Sequence, residues 1–248
     1  MLINQTITKL NELKLSGMAQ AVNIQLGQTD AQSLPFEDRL AMLVDAEYSY
    51  RETKRMKKLV TNAKFAIPSA CVEDIDFDNG RKLDRPLIST LTNCNWVEKK
   101  QNIIIEGPSG AGKSWMACAL GNQICRNGIS VRYIKMSRLI EDIQIAKGDG
   151  SIKRYRAQLT RVNVLIIDDW LLAPLETTSA REILEILDEA YNIGSLILTS
   201  QHPVSDWHSR IAEKTVADAI LDRIVHNSHR IKIAGESMRK KKNSVTYS

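Results

Sequence analysis

The stretch NIIIEGPSGAGKSW, from Asn102 to Trp115, decides the fold of this chain. Three isoleucines are followed by a glycine-rich loop and then by a helix that is expected to open at Lys113, so the stretch predicts a strand, a loop and a helix in succession. The loop matches the pattern G-x-x-x-x-G-K-[ST], in which glycines let backbone N–H groups and a helix N-terminus surround a phosphate. The residues that this pattern assigns to a nucleotide are Gly107, Pro108, Ser109, Gly110, Ala111, Gly112, Lys113 and Ser114.

Two side chains at the end of this loop carry its chemistry. Lys113 is predicted to reach the β- and γ-phosphates of ATP, and the Ser114 hydroxyl is predicted to bind Mg²⁺. A glycine-rich turn that precedes a helix by chance is the competing interpretation, although a chance match rarely has a strand before it and a helix after it. The loop therefore predicts a site for ATP and Mg²⁺.

A second apolar run, Val164–Ile167, is followed directly by Asp168 and Asp169. Such a run is typical of a buried parallel strand, and acids at its carboxyl end lie where open α/β sheets bind ligands. Asp168 is predicted to hold Mg²⁺, directly or through water, and Asp169 to orient or activate the attacking water. N-capping is the alternative role, and it accounts for only one of the two acids.

Strands alternate with helices from Asn102 onwards, which predicts an α/β fold with a parallel sheet. A later apolar strand ends in Thr199, Ser200 and Gln201, and we expect these polar side chains at the γ-phosphate or its water. The region before Asn102 has helical periodicity and no strand pattern. The predicted divisions are a helical N-terminal domain at 1–75, a connecting segment at 76–101, an ATPase domain at 102–235 and a basic tail at 236–248.

A long helix is predicted with Pro35 in its first turn, and the end of this helix is basic. Residues 51–64 hold six positive side chains and one negative one. Arg51, Lys54, Arg55 and Lys58 are spaced by three and four, so they share one side of a helix. A solvated helix face and a row of phosphate contacts on nucleic acid are both open interpretations.

A second basic segment, residues 132–161, holds eight basic and three acidic side chains. It includes an aromatic residue, Tyr155, between cations, a pattern that suits a nucleic-acid backbone with some stacking. A solvated loop and helix is the alternative interpretation. The residues predicted to bind DNA are Arg138, Lys147, Lys153, Arg154 and Arg156.

The composition agrees with an intracellular nucleic-acid partner. The formal net charge is +5 over 248 residues, which is mildly basic. The four cysteines have neither paired spacing nor histidines at metal-ligand spacing, so they are expected to be free thiols in a reducing compartment. No signal-peptide pattern and no apolar run of about 18 residues is present, and a cytoplasmic location is therefore expected.

Several motifs together resemble the IstB-like ATP-binding proteins, which are AAA+ ATPases that help a partner transposase in bacterial insertion sequences and are similar to the DnaC helicase loader and the DnaA initiator. The resemblance also extends through the helical N-terminus, so it covers nearly the whole chain. The stretches that carry it are GPSGAGKSWMACALGNQ at 107–123, VLIIDDWLLAPL at 164–175, LILTSQHPVSDWH at 196–208, ADAILDRIVHNSHRI at 217–231, GESMRK at 235–240 and the segments 36–58 and 63–77.

The resemblance implies a five-stranded parallel sheet flanked by helices, with no separate C-terminal lid. It also implies a homo-oligomer with ATP between neighbouring subunits, in which Arg223 is the arginine finger and Gln201 is the sensor residue beside the γ-phosphate. Together with Lys113, Asp168 and Asp169, these form the expected catalytic set. The implied function is ATP-dependent assembly on duplex DNA, largely independent of sequence, to assist target selection or transposase stimulation.

Three residues differ from those common in AAA+ enzymes or in relatives, although aspartate is also frequent at the first of these positions within the family. Asp169 stands where many AAA+ enzymes have glutamate, so slow hydrolysis is expected. Leu171 replaces a glycine that is common after these acids, and Ala190 replaces an arginine before a tyrosine.

Other functions are compatible with the same motifs. A helicase loader of the DnaC type would prefer single-stranded DNA and a helicase partner. A DNA-bending scaffold with an inactive nucleotide site would bind no ATP. A small-molecule kinase fits least, because no lid or acceptor-binding segment is recognisable.

Overall fold

The computed structural model describes residues 2–28, 30, 33–77 and 80–235. Asp78 and Asn79, within the predicted connecting segment, and the predicted basic tail at 236–248 lie outside these residues. Contacts divide the chain into two compact units, Met1–Lys58 and Leu59–Ser248. The functional boundaries at residues 76, 102 and 236 stay predictions.

The first unit is built from helices, in which one buried carboxylate joins two of them. Glu47 accepts hydrogen bonds from the backbone N–H of Met18 at 3.1 Å and from Arg51 Nε at 2.6 Å. A Cβ on Gly17 would lie 2.7 Å from the Ala46 carbonyl oxygen, so glycine is required where these helices meet. The helices are α1 (Leu2–Glu12), α2 (Ser16–Gly27) and α3 (Phe36–Ala63).

The apolar side of α3 is open to solvent. Phe36 is 72% exposed, and Leu40 and Val44 are also exposed. Helical periodicity predicts that these residues share one side, and it does not predict whether another element covers that side. The nearby basic turn is partly neutralised, because Arg51 pairs with Glu47 and Arg55 lies 3.9 Å from Glu52.

The second unit contains a five-stranded sheet in the order β2-β3-β4-β1-β5, and every neighbouring pair is parallel. The expected fold class is therefore confirmed. The strands are β1 (Asn102–Glu106), β2 (Val131–Lys135), β3 (Val164–Asp168), β4 (Ser195–Ser200) and β5 (Ser228–Lys232). The helices of this unit are α4 (Arg85–Thr92), α5 (Asn95–Glu98), α6 (Lys113–Arg126), α7 (Met136–Gly148), α8 (Ile152–Thr160), α9 (Thr177–Ile193), α10 (Val204–Trp207) and α11 (Lys214–Val225), with 3₁₀ turns at Val72–Asp74 and His208–Arg210.

Both faces of the sheet are covered, which explains the uninterrupted apolar runs of its central strands. In β1, Ile103 and Ile105 pack into the core that contains α6, whereas Ile104 packs into the core that contains α7, α9 and α11. On the α6 side, a Cβ on Gly121 would lie 2.4 Å from the Phe65 ring, so α6 has no room for a larger residue there.

One helix start differs from the sequence prediction. The pattern Ser179-x-x-Glu182 predicts a capping box, yet α9 begins two residues earlier, at Thr177. Ser179 is buried within the first turn, and Glu182 forms an ion pair with Lys147 at 3.0 Å. The capping prediction is wrong because Ser179 lies inside the helix, whose N-cap residue is Glu176.

No helix in the described part of the chain combines the length and hydropathy needed to cross a bilayer. All four cysteines are free thiols; Cys94, Cys118 and Cys125 are buried, and Cys71 is half-buried.

Candidate nucleotide site

The sheet places three predicted motifs at one edge. β3, β4 and β1 are neighbours and run in the same direction, so their carboxyl ends lie side by side. The residues that follow these ends are the acids after β3, Gln201 after β4 and the glycine-rich loop after β1. This edge of an α/β sheet is the usual position of a ligand.

The glycine-rich loop needs its glycines for two different reasons. Gly110 and Gly112 have φ of +77° and +98°, a left-handed conformation that other residues adopt at a cost. A Cβ on Gly107 would lie 2.5 Å from the Ile233 carbonyl oxygen, so the chain after β5 passes too close for a side chain. The conformation of the loop therefore depends on glycine at these positions, as in loops that surround a phosphate with backbone N–H groups.

Lys113 begins α6 and folds back over the loop. Its ammonium group donates a hydrogen bond to the Pro108 carbonyl oxygen at 2.9 Å, and its side chain is buried. The ammonium group is thus held at the mouth of the loop, where the sequence predicts the β- and γ-phosphates.

Asp168, at the end of β3, is 1% exposed and accepts three hydrogen bonds. Its Oδ1 accepts from Ser114 Oγ at 2.9 Å and from Thr199 Oγ1. Its Oδ2 accepts from the Tyr133 hydroxyl at 2.5 Å. The two predicted Mg²⁺ ligands, Ser114 and Asp168, therefore touch each other, and a hydroxyl beside a carboxylate is a donor set that suits this hard cation.

Tyr133, on β2, is a site residue that the sequence did not reveal. Burial and the neighbouring Asp168 carboxylate raise the pKa of its phenol, so Tyr133 stays a neutral donor across the physiological range. The sequence signal was weak, because a tyrosine inside a strand is common, and only the pairing of β2 with β3 brings it to the acid.

Asp169 lies in a strained turn that faces the cavity. Its φ is +57°, and its backbone N–H donates to Thr199 Oγ1 at 3.0 Å. Leu171, the departure from glycine, also has a positive φ of +53°. Arg210, which the sequence did not single out, donates to the carbonyl oxygens of Leu171 and Leu172 at 2.8 Å and fixes this turn.

The polar residues at the end of β4 have three different positions. Thr199 is buried and its hydroxyl binds Asp168 rather than facing the cavity. Ser200 is also buried, and its hydroxyl donates to the Trp170 carbonyl oxygen at 3.1 Å. Gln201 lines the cavity. Of these three predicted contacts, the structure thus brings only Gln201 to the cavity wall.

The cavity at this edge has a volume of about 650 Å³, which suits a nucleotide-sized ligand. The predicted residues on its wall are Ser109, Gly110, Gly112, Lys113, Ser114, Asp169 and Gln201. The residues on its wall that the sequence did not single out are Ile67, Asp74, Asp76, Arg81, Trp115, Lys135 and Leu172. Several of them precede β1 and have no motif of their own.

Arg223 lies away from this cavity, on α11. Its guanidinium forms an ion pair with Asp188 and donates to the Ala219 carbonyl oxygen at 2.8 Å. The Asn102 amide donates to the carbonyl oxygens of Arg223 and Ile224 at 3.1 and 3.2 Å, which ties the end of α11 to the sheet. The role of Arg223 at a neighbouring subunit stays a prediction.

Within the described residues, three of the five side chains predicted to bind DNA form ion pairs with acidic partners. Arg138 pairs with Glu141 and Asp142, Lys147 with Glu182, and Arg156 with Glu185. Lys153 and Arg154 are exposed near the start of α8.

The aromatic residue between these cations is used by the fold. Tyr155 packs against the core beneath α8 and donates a hydrogen bond to Asp142 Oδ2 at 3.1 Å. Its ring is therefore not presented for stacking, because helical spacing turns Tyr155 inward while its neighbours Lys153 and Arg154 face out.

Comparison with known proteins agrees with these features. The family model described as IstB-like ATP binding protein matches residues 8–246. The insertion sequence ATP-binding protein y4pL of Sinorhizobium fredii is 42% identical over 240 residues, which cover 97% of this chain and 98% of that protein. The ATP-binding protein of insertion sequence IS1162 from Pseudomonas fluorescens is 44% identical over 205 residues, which cover 83% and 89% of the two chains.

Solved structures share the fold at low identity. The crystal structure of DnaI has a TM-score of 0.59 and 20% identity, and the match covers 67% of this chain and 92% of that one. The DnaC helicase loader has a TM-score of 0.53 and 18% identity, with coverage of 66% and 97%. These likenesses show that this chain shares its fold with both proteins over about two thirds of its length.

Proposed function

Because this chain belongs to the family of IstB-like ATP-binding proteins, we propose that it is an ATPase that assembles on duplex DNA and assists the transposase of an insertion sequence. The observation that supports this most is the contact of Ser114 with Asp168 beside the glycine-rich loop. The relatives named above are proteins of insertion sequences, which supports transposition as the process.

The residues of the cavity divide the work of ATP hydrolysis. Bound ATP with Mg²⁺ supplies the phosphoanhydride that is cleaved and a divalent charge that neutralises it. Lys113 would exchange the Pro108 carbonyl oxygen for a phosphate oxygen, and Ser114 and Asp168 would hold the cation. Asp169 and Gln201 face the cavity and orient the attacking water.

The proposed assembly depends on Arg223, which does not line the nucleotide cavity of its own subunit. Arg223 lies outside the cavity wall and is only partly exposed, in an ion pair with Asp188. In the assembled state it exchanges Asp188 for the γ-phosphate of a neighbour. ATP therefore strengthens subunit contacts, and its hydrolysis weakens them.

DNA contact is assigned first to Lys153 and Arg154, which are exposed. Arg138, Lys147 and Arg156 already hold acidic partners, so each must exchange an ion pair for a phosphate contact. The net cost of this exchange is small for Arg138 and Lys147, whose side chains are exposed, and larger for Arg156, whose side chain is 14% exposed. Phosphate contacts carry no sequence information, which agrees with binding that is independent of sequence.

The proposal is tested by duplex DNA binding and particle size, measured with and without ATP over about 50 to 200 mM salt. We expect ATP-dependent multimers on DNA, and the Lys113→Ala variant should remain unassembled. Neutralising Lys153 and Arg154 together should reduce the slope of log affinity against log salt by about 2.

Three outcomes would contradict the proposal. Equal assembly by the wild type and the Lys113→Ala variant would show that assembly on DNA does not depend on nucleotide binding. An affinity for DNA that does not change with salt concentration would show that the protein does not bind the phosphates. Preference for single-stranded DNA, together with co-purification of a helicase rather than a transposase, would favour a helicase loader.

A further inference from the structure

Arg81 lies in the segment that connects the helical region to β1, and it is 7% exposed. Its Nε is buried and has no hydrogen-bond partner within the described residues. A guanidinium nitrogen buried in this state is costly, because it has lost water without gaining an acceptor.

The guanidinium of Arg81 faces the glycine-rich loop. A Cβ built on Gly112 would lie 3.8 Å from both terminal nitrogens of Arg81, and Arg81 lines the same cavity as Lys113 and Ser114. Its backbone is also fixed, because the Arg81 carbonyl oxygen accepts a hydrogen bond from Ala234 N at 2.9 Å. The backbone of Arg81 is thus tied to the chain after β5, and its side chain reaches the cavity wall beside Gly112.

An arginine in this position has a donor fork that matches phosphate oxygens. Gly112 directly precedes Lys113, whose predicted partners are the β- and γ-phosphates. The backbone N–H groups of such a loop surround the α- and β-phosphates, which ADP and ATP have in common.

We propose that Arg81 is a phosphate-binding residue of the nucleotide site, which donates hydrogen bonds to the phosphates shared by ADP and ATP. This inference rests on the proposed nucleotide site and adds a cation from outside the glycine-rich loop. In this role, a phosphate oxygen supplies the hydrogen-bond acceptor that the buried Nε does not have within the described residues. It also predicts that nucleotide binding fixes the segment before β1 against the loop.

The experiment compares Arg81→Met with Lys82→Met, a control that removes the same charge from an exposed neighbour. Dissociation constants for ADP and ATP are measured by titration calorimetry, and melting temperatures are measured without nucleotide. We expect Arg81→Met to weaken ADP and ATP equally, by about 10- to 100-fold, as for the loss of a hydrogen bond to a charged group. Its melting temperature without nucleotide should equal or exceed that of the wild type, since methionine removes an unsatisfied buried polar group.

The Arg81→Lys variant covers the case in which Arg81→Met does not fold. It keeps a charge but loses the planar fork, so it should bind ADP more weakly than the wild type and more strongly than Arg81→Met when both fold. Lys82→Met should leave both dissociation constants unchanged.

Several results would overturn the role of Arg81. These are wild-type affinity in Arg81→Met, wild-type affinity in Arg81→Lys, a loss restricted to ATP, and a lower melting temperature with unchanged affinity. The proposed function is judged separately, by nucleotide binding in the wild type and its loss in Lys113→Ala.

Discussion

The hydroxyl of Tyr133 offers the sharpest test of the metal-binding end of this site. Tyr133→Phe removes one oxygen atom, and with it the donor that the structure gives to Asp168 Oδ2. The two donors on Oδ1, from Ser114 and Thr199, remain. The change therefore leaves Oδ1 with both of its donors and removes the Tyr133 donor from Oδ2.

The expected size of the effect follows from the burial of this pair. A hydrogen bond to a charged group is worth about 1.5–3 kcal/mol, and the carboxylate has little access to water that could replace it. For a domain of this size, a loss of about 2 kcal/mol lowers the melting temperature by roughly 4–8 °C. Because Tyr133 orients a predicted Mg²⁺ ligand, the affinity for Mg²⁺ should also fall by about 10- to 100-fold.

Tyr155→Phe is the matched control. Its hydroxyl donates to Asp142 Oδ2 at 3.1 Å, and Tyr155 is not part of the cavity wall. Both variants should melt at lower temperature, as measured by circular dichroism. Only Tyr133→Phe should need more Mg²⁺ for half-maximal ATP binding. The reasoning is refuted if Tyr133→Phe keeps the wild-type Mg²⁺ requirement, or if Tyr155→Phe changes it to the same extent.

Further predictions concern packing and thiols. Gly121→Ala places a methyl group against the Phe65 ring and should destabilise the protein by about 1–3 kcal/mol in chemical denaturation. Gly148→Ala, where the structure has open space, should be neutral or stabilising, and equal effects of the two changes would contradict the packing argument. Among the four cysteines, only Cys71 should react with Ellman's reagent in the native protein, and reaction of a second thiol would show that a buried cysteine is accessible. Burial raises the pKa of Cys125 to about 12. The neutral thiol therefore contributes to stability below about pH 8.5, and this contribution is lost as the pH rises towards the folded-state pKa. The melting temperature of Cys125→Ala should fall less steeply over this range than that of the wild type.

Local sequence patterns predicted the strands and the loop well at positions where a single physical requirement restricts the residue type. The isoleucines of β1 are buried on both sides, and Gly110 and Gly112 have the positive φ that a phosphate loop needs. The acids after β3 also lie at the carboxyl edge, as parallel strands require. These features depend on neighbours within a few residues, so the sequence contains them.

The contacts of polar side chains were predicted less well when their partners are distant in the chain. Thr199 donates to Asp168 rather than facing the cavity, and the sequence did not reveal the ion pair between Arg156 and Glu185. Each of these contacts joins residues about 30 positions apart. Periodicity shows on which side of a helix or strand a residue lies, and it does not show which side chain it contacts there.

The sequence by itself determined the order of strands and helices, the phosphate loop and the pair of acids, because backbone conformation and burial restrict the residue types at those positions. Only the tertiary structure decided that Tyr133 supports Asp168, that Arg81 reaches Gly112 and that Arg210 holds the turn after Asp169. Those contacts arise when separate segments meet at one edge of the sheet, and no spacing within a single segment encodes them.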